Sequence, residues 1–206
     1  CLSCKACKAE CPSNVDITKF KAEFLQHYYD AHHVPLRSFM IGNFPYLNTL
    51  GSYIPHIFNF FATNLVTGYL LKISLGFAPK RSIPTVYKTT LRRWCKKNLK
   101  PVEKPIKQVY LFVDEFTDIN DTVIGTKAVK LLTALNYEVK IVDHAFSGRT
   151  WLSKGMVRKV QKIAVKNVTI FKDLITDETP LLGIEPSGIL TFRDEYPELV
   201  PSFLVG

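Results

Sequence analysis

The 206-residue sequence predicts an α/β chain: a mostly helical first half, then a parallel sheet covered by helices on both faces. Three observations predict it. Beyond residue 105, short β-branched and aromatic runs alternate with helix-period stretches, strand–helix–strand–helix–strand, an order that builds right-handed crossovers. Lys100-Pro101-Val102-Glu103-Lys104-Pro105 separates the halves, and neither helix nor strand runs through its two prolines. Charge changes at the same place: residues 1–104 hold 15 Lys/Arg against 5 Asp/Glu, whereas residues 105–206 hold 12 against 13. A hydrophobic content of 47% with 22% charged residues is globular composition and excludes a disordered chain. The expected organisation is a segment over 1–38, a connecting region over 39–104 and an α/β domain over 105–206.

The first segment opens with Cys1-Leu2-Ser3-Cys4-Lys5-Ala6-Cys7-Lys8-Ala9-Glu10-Cys11-Pro12, the spacing C-x2-C-x2-C-x3-C-P. Three thiolates so spaced wrap one corner of a cubane. The fourth, followed by proline, ligates the other cluster in two-cluster ferredoxins. Cys1, Cys4, Cys7 and Cys11 are therefore assigned as iron ligands of [4Fe-4S] clusters in a ferredoxin-type segment. Structural zinc uses two separated ligand pairs, and no second pair follows. If Cys1, Cys4 and Cys7 hold one cluster, its fourth ligand has to come from sequence ahead of Cys1, and Cys11 completes a second cluster. The fifth cysteine, Cys95, is read as an ordinary residue. The chain starts at Cys1 with neither initiator Met nor signal peptide, so we expect it to be the carboxyl-terminal piece of a longer protein. Thiolate ligation needs a reducing compartment, which points to the cytoplasm.

From Asp16 to about Tyr29 the pattern predicts a helix, with Asp16 or Asn14 as N-cap and Phe20, Phe24 and Leu25 facing inward. Phe39 to Leu71 then holds no Lys, Arg, Asp or Glu over 33 residues. Pro45, Pro55, His56 and several Asn and Gly leave no clean 18-residue apolar window, which argues against a spanning helix. Two readings stay open: a buried helical pair packing on a partner or another domain, and an interfacial membrane-docking surface at the inner face of the membrane. The basic run of Lys80, Arg81, Lys88, Arg92, Arg93, Lys96, Lys97, Lys100 and Lys104 suits anionic lipid or an acidic partner, or is a solvated helix face. No nucleic-acid-binding motif accompanies it.

In the second half, Val109 to Val113 reads as a buried parallel strand, Thr122 to Leu135 as a helix stopped at Asn136-Tyr137, and Glu138 to Val142 as a second strand. Trp151 to about Thr176 reads as one long amphipathic helix, and Pro180 to Ile184 as a third strand. The result is a Rossmann-like sheet. Ligands of such sheets sit at the carboxyl ends of strands, which here carry Asp114, Asp143-His144 and Glu185-Pro186-Ser187.

These residues resemble a family. Cys1 to Pro12 with Ser13-Asn14-Val15-Asp16, Lys21-Ala22-Glu23-Phe24-Leu25 and Pro35-Leu36-Arg37-Ser38 looks like the iron–sulfur segment of bacterial FAD-linked oxidases, fused relatives of D-lactate, glycolate and D-2-hydroxyglutarate dehydrogenases. Leu111 to Thr117, Ser147-Gly148-Arg149, Gly183 to Ser187 and Leu190 to Pro197 resemble their cysteine-rich domain, also found in the iron–sulfur subunits of glycolate oxidase and anaerobic glycerol-3-phosphate dehydrogenase. The family pattern has Cys-Cys-Gly-Arg where this chain has Phe146-Ser147-Gly148-Arg149, and a cysteine after Glu-Pro-Ser where it has Gly188. A cluster or metal in the second half is therefore not carried over.

The resemblance implies a flavin domain upstream in the same polypeptide, with FAD bound only there. Electrons from a 2-hydroxy acid would pass singly through the clusters to a quinone or protein acceptor. This chain has no Gly-rich dinucleotide motif and no assigned catalytic residue. The alternatives are a membrane- or partner-docking module through residues 39–104 and, less well supported, a heterodisulfide-reductase-like subunit, against which Phe146, Ser147 and Gly188 speak.

Overall fold

A computed structural model describes residues 6–13 and 15–202, with side chains from residue 8 onward. After a short helix α1 (Ala6–Ala9), helix α2 (Ile17–Ala31) starts where Asp16 accepts hydrogen bonds from the backbone N–H groups of Thr18 and Lys19, satisfying donors that have no partner within the helix.

The face that α2 buries differs from expectation. Ala22 is its buried residue, whereas Phe20 and Phe24 are about two-thirds exposed and form an outward stripe with Ile17 and Tyr28. The cause is a close approach: a Cβ on Gly155 would lie 2.3 Å from Leu25 Cβ and 3.3 Å from the Ala22 carbonyl oxygen. That contact fixes the rotation of α2 and turns the aromatic stripe away.

Four short helices follow: α3 (Leu36–Gly42), α4 (Phe44–Gly51), α5 (Pro55–Thr63) and α6 (Thr67–Ser74). The expected helical pair is divided because Pro45 and Pro55 each sit in a first turn, where a missing N–H costs nothing and the helix must begin anew. Within this chain most of the stretch's large apolar side chains are exposed. No helix among the described residues is long and apolar enough to cross a membrane.

Helix α7 (Leu91–Asn98), capped by the Thr90 hydroxyl, leads through an irregular segment to strand β1 (Lys107–Phe112). Then come α8 (Glu115–Ile119), α9 (Thr122–Ala134) and β2 (Tyr137–Lys140). Asn136 takes the left-handed conformation at φ 63° and ends α9 where the sequence predicts the stop. Its side chain donates to the Lys104 carbonyl, and its own carbonyl accepts from Ile106 N–H, so this turn also holds the end of the linker.

The long helix expected over 151–176 is two, α10 (Arg149–Ser153) and α11 (Val157–Phe171), because Gly155 between them adopts φ 76°. Strand β3 (Leu181–Gly183) and short helices α12 (Pro186–Ile189), α13 (Thr191–Asp194) and α14 (Tyr196–Leu199) complete the described chain.

All three strands are parallel, in the order β2-β1-β3, which is the expected α/β class. Residues of β1 and its extension alternate between two cores. Val109, Leu111 and Val113 pack with Val139, with Leu91 and Cys95 of α7 and with Val129 of α9. Phe112 faces the other way, onto His144, Phe171 and Phe192.

Gly155→Ala tests the contact that orients α2. It combines an unfavourable φ with an overlap against Leu25 and should cost about 2–4 kcal/mol, read as a fall in thermal midpoint. An unchanged midpoint would mean that α2 can move away freely.

Candidate functional site

Of the four predicted cluster ligands, Cys1 and Cys4 lie outside the described residues, and Cys7 is described only as a backbone position in α1. Cys11 lies just beyond that helix, with its N–H donating to the Lys8 carbonyl at 3.3 Å. It is a free, partly exposed thiol. A thiol in that state fits the donor chemistry of an iron–sulfur cluster. Among the described residues no group of three or more His, Cys, Asp or Glu side chains could hold a metal.

Lys8, the residue after Cys7, lines a cleft of about 600 Å³ together with Asp16, Lys19, Phe20, Arg149 and Glu195, among others. Lys19 pairs with Glu198 at this cleft, joining α2 to α14. Cys95 is different in kind. It is buried in the core, and desolvation, reinforced by Asp118, pushes its thiol up to about 11, so it is a packed apolar residue.

The strand ends gather polar groups, most of them engaged with the fold itself. Asp114, 1% exposed, caps α8 through the N–H groups of Phe116 and Thr117 and the Thr117 hydroxyl. Burial raises its pKa above the usual carboxylate range, and nearby Glu185 adds to the rise. Glu185 caps α12 through Gly188 N–H. Asp143 projects into solvent.

His144 is buried with both ring nitrogens committed. Nδ1 lies 2.7 Å from the Ala145 carbonyl, which only accepts, so Nδ1 carries the proton. Nε2 then accepts from Val113 N–H at 3.1 Å and from Arg92 Nη2 at 2.8 Å. Desolvation, with the Arg92 charge added, lowers its pKa to about 3. A neutral ring so bonded has no lone pair left for a metal.

Two features of this cluster had no signal in the sequence. Arg92, grouped with the basic run, points inward: it donates to the Val113 and Val142 carbonyls and lies beside Asp118. Glu115, 2% exposed, accepts from both Ser147 N–H and Ser147 Oγ. Tyr196 donates to the Ser147 carbonyl and accepts from Asn167, which also holds the backbone of Ala145 and Phe146. Loop 145–148 is thereby held by hydrogen bonds. Ser147 and Gly188, distant in sequence, are neighbours: a Cβ on Gly188 would lie 3.8 Å from Ser147 Cβ.

Two experiments follow from this geometry. The Cβ spacing is that of a disulfide, so Ser147→Cys with Gly188→Cys should lose two titratable thiols on mild oxidation, and persistent free thiols would contradict the adjacency. The second uses His144. Its folded pKa is depressed, so the stability of the neutral ring is complete above about pH 6.5 and is lost as pH falls toward 3. Asp114 and Glu115, raised by burial, act in the opposite sense, taking up protons in the folded state first. The urea-measured stability gap between wild type and His144→Gln should therefore shrink by a few kcal/mol between about pH 7 and about pH 4. A pH-independent gap would mean that the ring titrates alike folded and unfolded.

No family model and no solved structure matches the chain. Curated proteins do. The chain is 26% identical over 204 residues to D-2-hydroxyglutarate dehydrogenase of Escherichia coli K12, covering 95% of this chain and 20% of that protein. It is 25% identical over 209 residues to the Pseudomonas putida protein of the same name, covering 97% and 21%. One subunit of the anaerobic glycerol-3-phosphate dehydrogenase of E. coli K12 is 24% identical over 174 residues, which cover 84% of this chain and 44% of that polypeptide. The chain thus spans about a fifth of the length of the D-2-hydroxyglutarate dehydrogenases it matches. Over nearly its whole length the chain is similar to part of the D-2-hydroxyglutarate dehydrogenases, which are among the proteins to which its cysteine spacing and strand-end motifs pointed.

Proposed function

We propose that this chain is the iron–sulfur electron-transfer part of an FAD-linked 2-hydroxy-acid dehydrogenase. The observation that carries the reading is the run Cys1-x2-Cys4-x2-Cys7-x3-Cys11-Pro12, in a chain whose relatives are named as dehydrogenases of 2-hydroxyglutarate and of glycerol 3-phosphate. In this reading Cys1, Cys4 and Cys7 hold one [4Fe-4S] cluster, and Cys11 completes a neighbouring one with ligands from sequence ahead of Cys1. Such clusters, when bound, relay single electrons between the flavin of an upstream domain and a quinone or protein acceptor.

The chain's own contribution is to hold and orient. The Asp16 cap fixes the start of α2 just beyond the thiols. The Lys19–Glu198 pair ties α2 to α14, and the contact at Gly155 ties it to the α10–α11 turn. In this reading the helix that follows Cys11 is thus tied to the α/β part of the chain at two points, which orients the thiol that precedes it.

Anaerobic iron and sulfide analysis with EPR tests this reading on the chain and on a form extended upstream through the flavin domain. We expect matched iron and sulfide with a cluster EPR signal in the longer form, lost in Cys4→Ser and Cys7→Ser. Zinc without sulfide in both forms would overturn it.

A further inference from the structure

We propose that the helical hairpin α5–α6 and the cations around it form a docking surface for an anionic lipid bilayer. Residues 31–102 contain ten Lys/Arg and not one Asp or Glu, so the net positive charge of the whole chain resides there. The same stretch carries the exposed apolar surface. On α5, Ile57, Phe60 and Phe61 share one face, and on α6, Tyr69, Leu70 and Ile73 do, all roughly half exposed or more. The three-residue turn between them presents Leu65, which is 91% exposed, and Val66.

The hairpin cannot turn this surface inward. Its other side is fixed by the reciprocal hydrogen bonds of the Asn59 side chain with Val86 N–H and carbonyl, both 2.9 Å. The two helices meet closely where a Cβ on Gly68 would lie 2.7 Å from the Ala62 carbonyl oxygen. With nine and eight residues, each helix is about 13 Å long, well short of the hydrocarbon core, so the hairpin lies in the interface and does not span.

Several cations are held close to the apolar surface. Lys72 donates to the Pro79 and Arg81 carbonyls and so holds Lys80 and Arg81 beside the end of α6. Arg93 stacks over Tyr53 at 4.7 Å and Arg37 over Phe77 at 5.8 Å. Lys80, Arg81, Lys88, Arg93, Lys96 and Lys97 are exposed and form no ion pair among the described residues. Long basic side chains at the rim of an apolar face reach up to lipid phosphates while their stems stay in the apolar layer. A second copy of this chain would oppose these cations with its own, so charge disfavours self-association through this face and favours an anionic surface.

Vesicle flotation of the 206-residue chain tests the proposal. Vesicles of phosphatidylcholine alone are compared with an equal mixture of phosphatidylcholine and phosphatidylglycerol. We expect flotation with the mixture only, weakened by salt. Leu65→Asp, at a fully solvated position, should abolish it while leaving the thermal midpoint unchanged. Lys80→Gln with Arg81→Gln should lower partitioning about tenfold or more. Failure of the folded, monomeric chain to float with the mixture would overturn the proposal, as would wild-type flotation of Leu65→Asp. Sedimentation showing a dimer that Leu65→Asp dissolves would assign the face to a second copy instead.

Discussion

The position of one half-buried guanidinium governs how the two halves of the chain meet. Arg92 leaves the first turn of α7, donates to carbonyls at the ends of β1 and β2 and caps the buried His144 ring. Asp118 accepts from its backbone N–H and lies close to its side chain. Burial works against its charge, and Asp118, Asp143 and Asp114 offset that. Because Arg92 is fixed, Leu91 and Cys95 must lie on the sheet, Trp94 must lie under Lys130, and Arg93 must project toward Tyr53. The acid-free helical region is thereby held to the sheet by a polar anchor at its carboxyl end.

Much of the scaffold is legible in the residues because local chemistry decides it. The three strands, the Asp16 cap and the Asn136 stop follow from apolar runs and from side chains able to satisfy orphan N–H groups or to adopt positive φ. The departures share a cause, which is long-range contact. Phe20 and Phe24 fit an inward helix face by pattern, but a glycine far along the chain sets the rotation of α2. Gly155 is itself a visible signal inside an apparently continuous helix, masked because the apolar period resumes beyond it. Arg92 looks like one cation among many, since nothing in a single sequence marks which member of a basic run finds buried carbonyls.

The strand-end cluster is held together by its own polar side chains. Ser147 and Gly188 are adjacent in space, yet the loops bearing them are held by Glu115, Tyr196, Asn167 and the Glu185 cap. These bonds satisfy the backbone of loop 145–148 without any metal or thiol. The geometry of these loops is thus set by hydrogen bonds from the chain's own side chains.

The sheet has a further consequence for how this protein meets other molecules. Its outer strands, β2 and β3, are only four and three residues long. Edges so short offer few unpaired backbone groups in register, and a foreign strand finds little template on them. Such a sheet leaves recognition to side chains, whose apolar shape and charge single substitutions can retune without disturbing the strands.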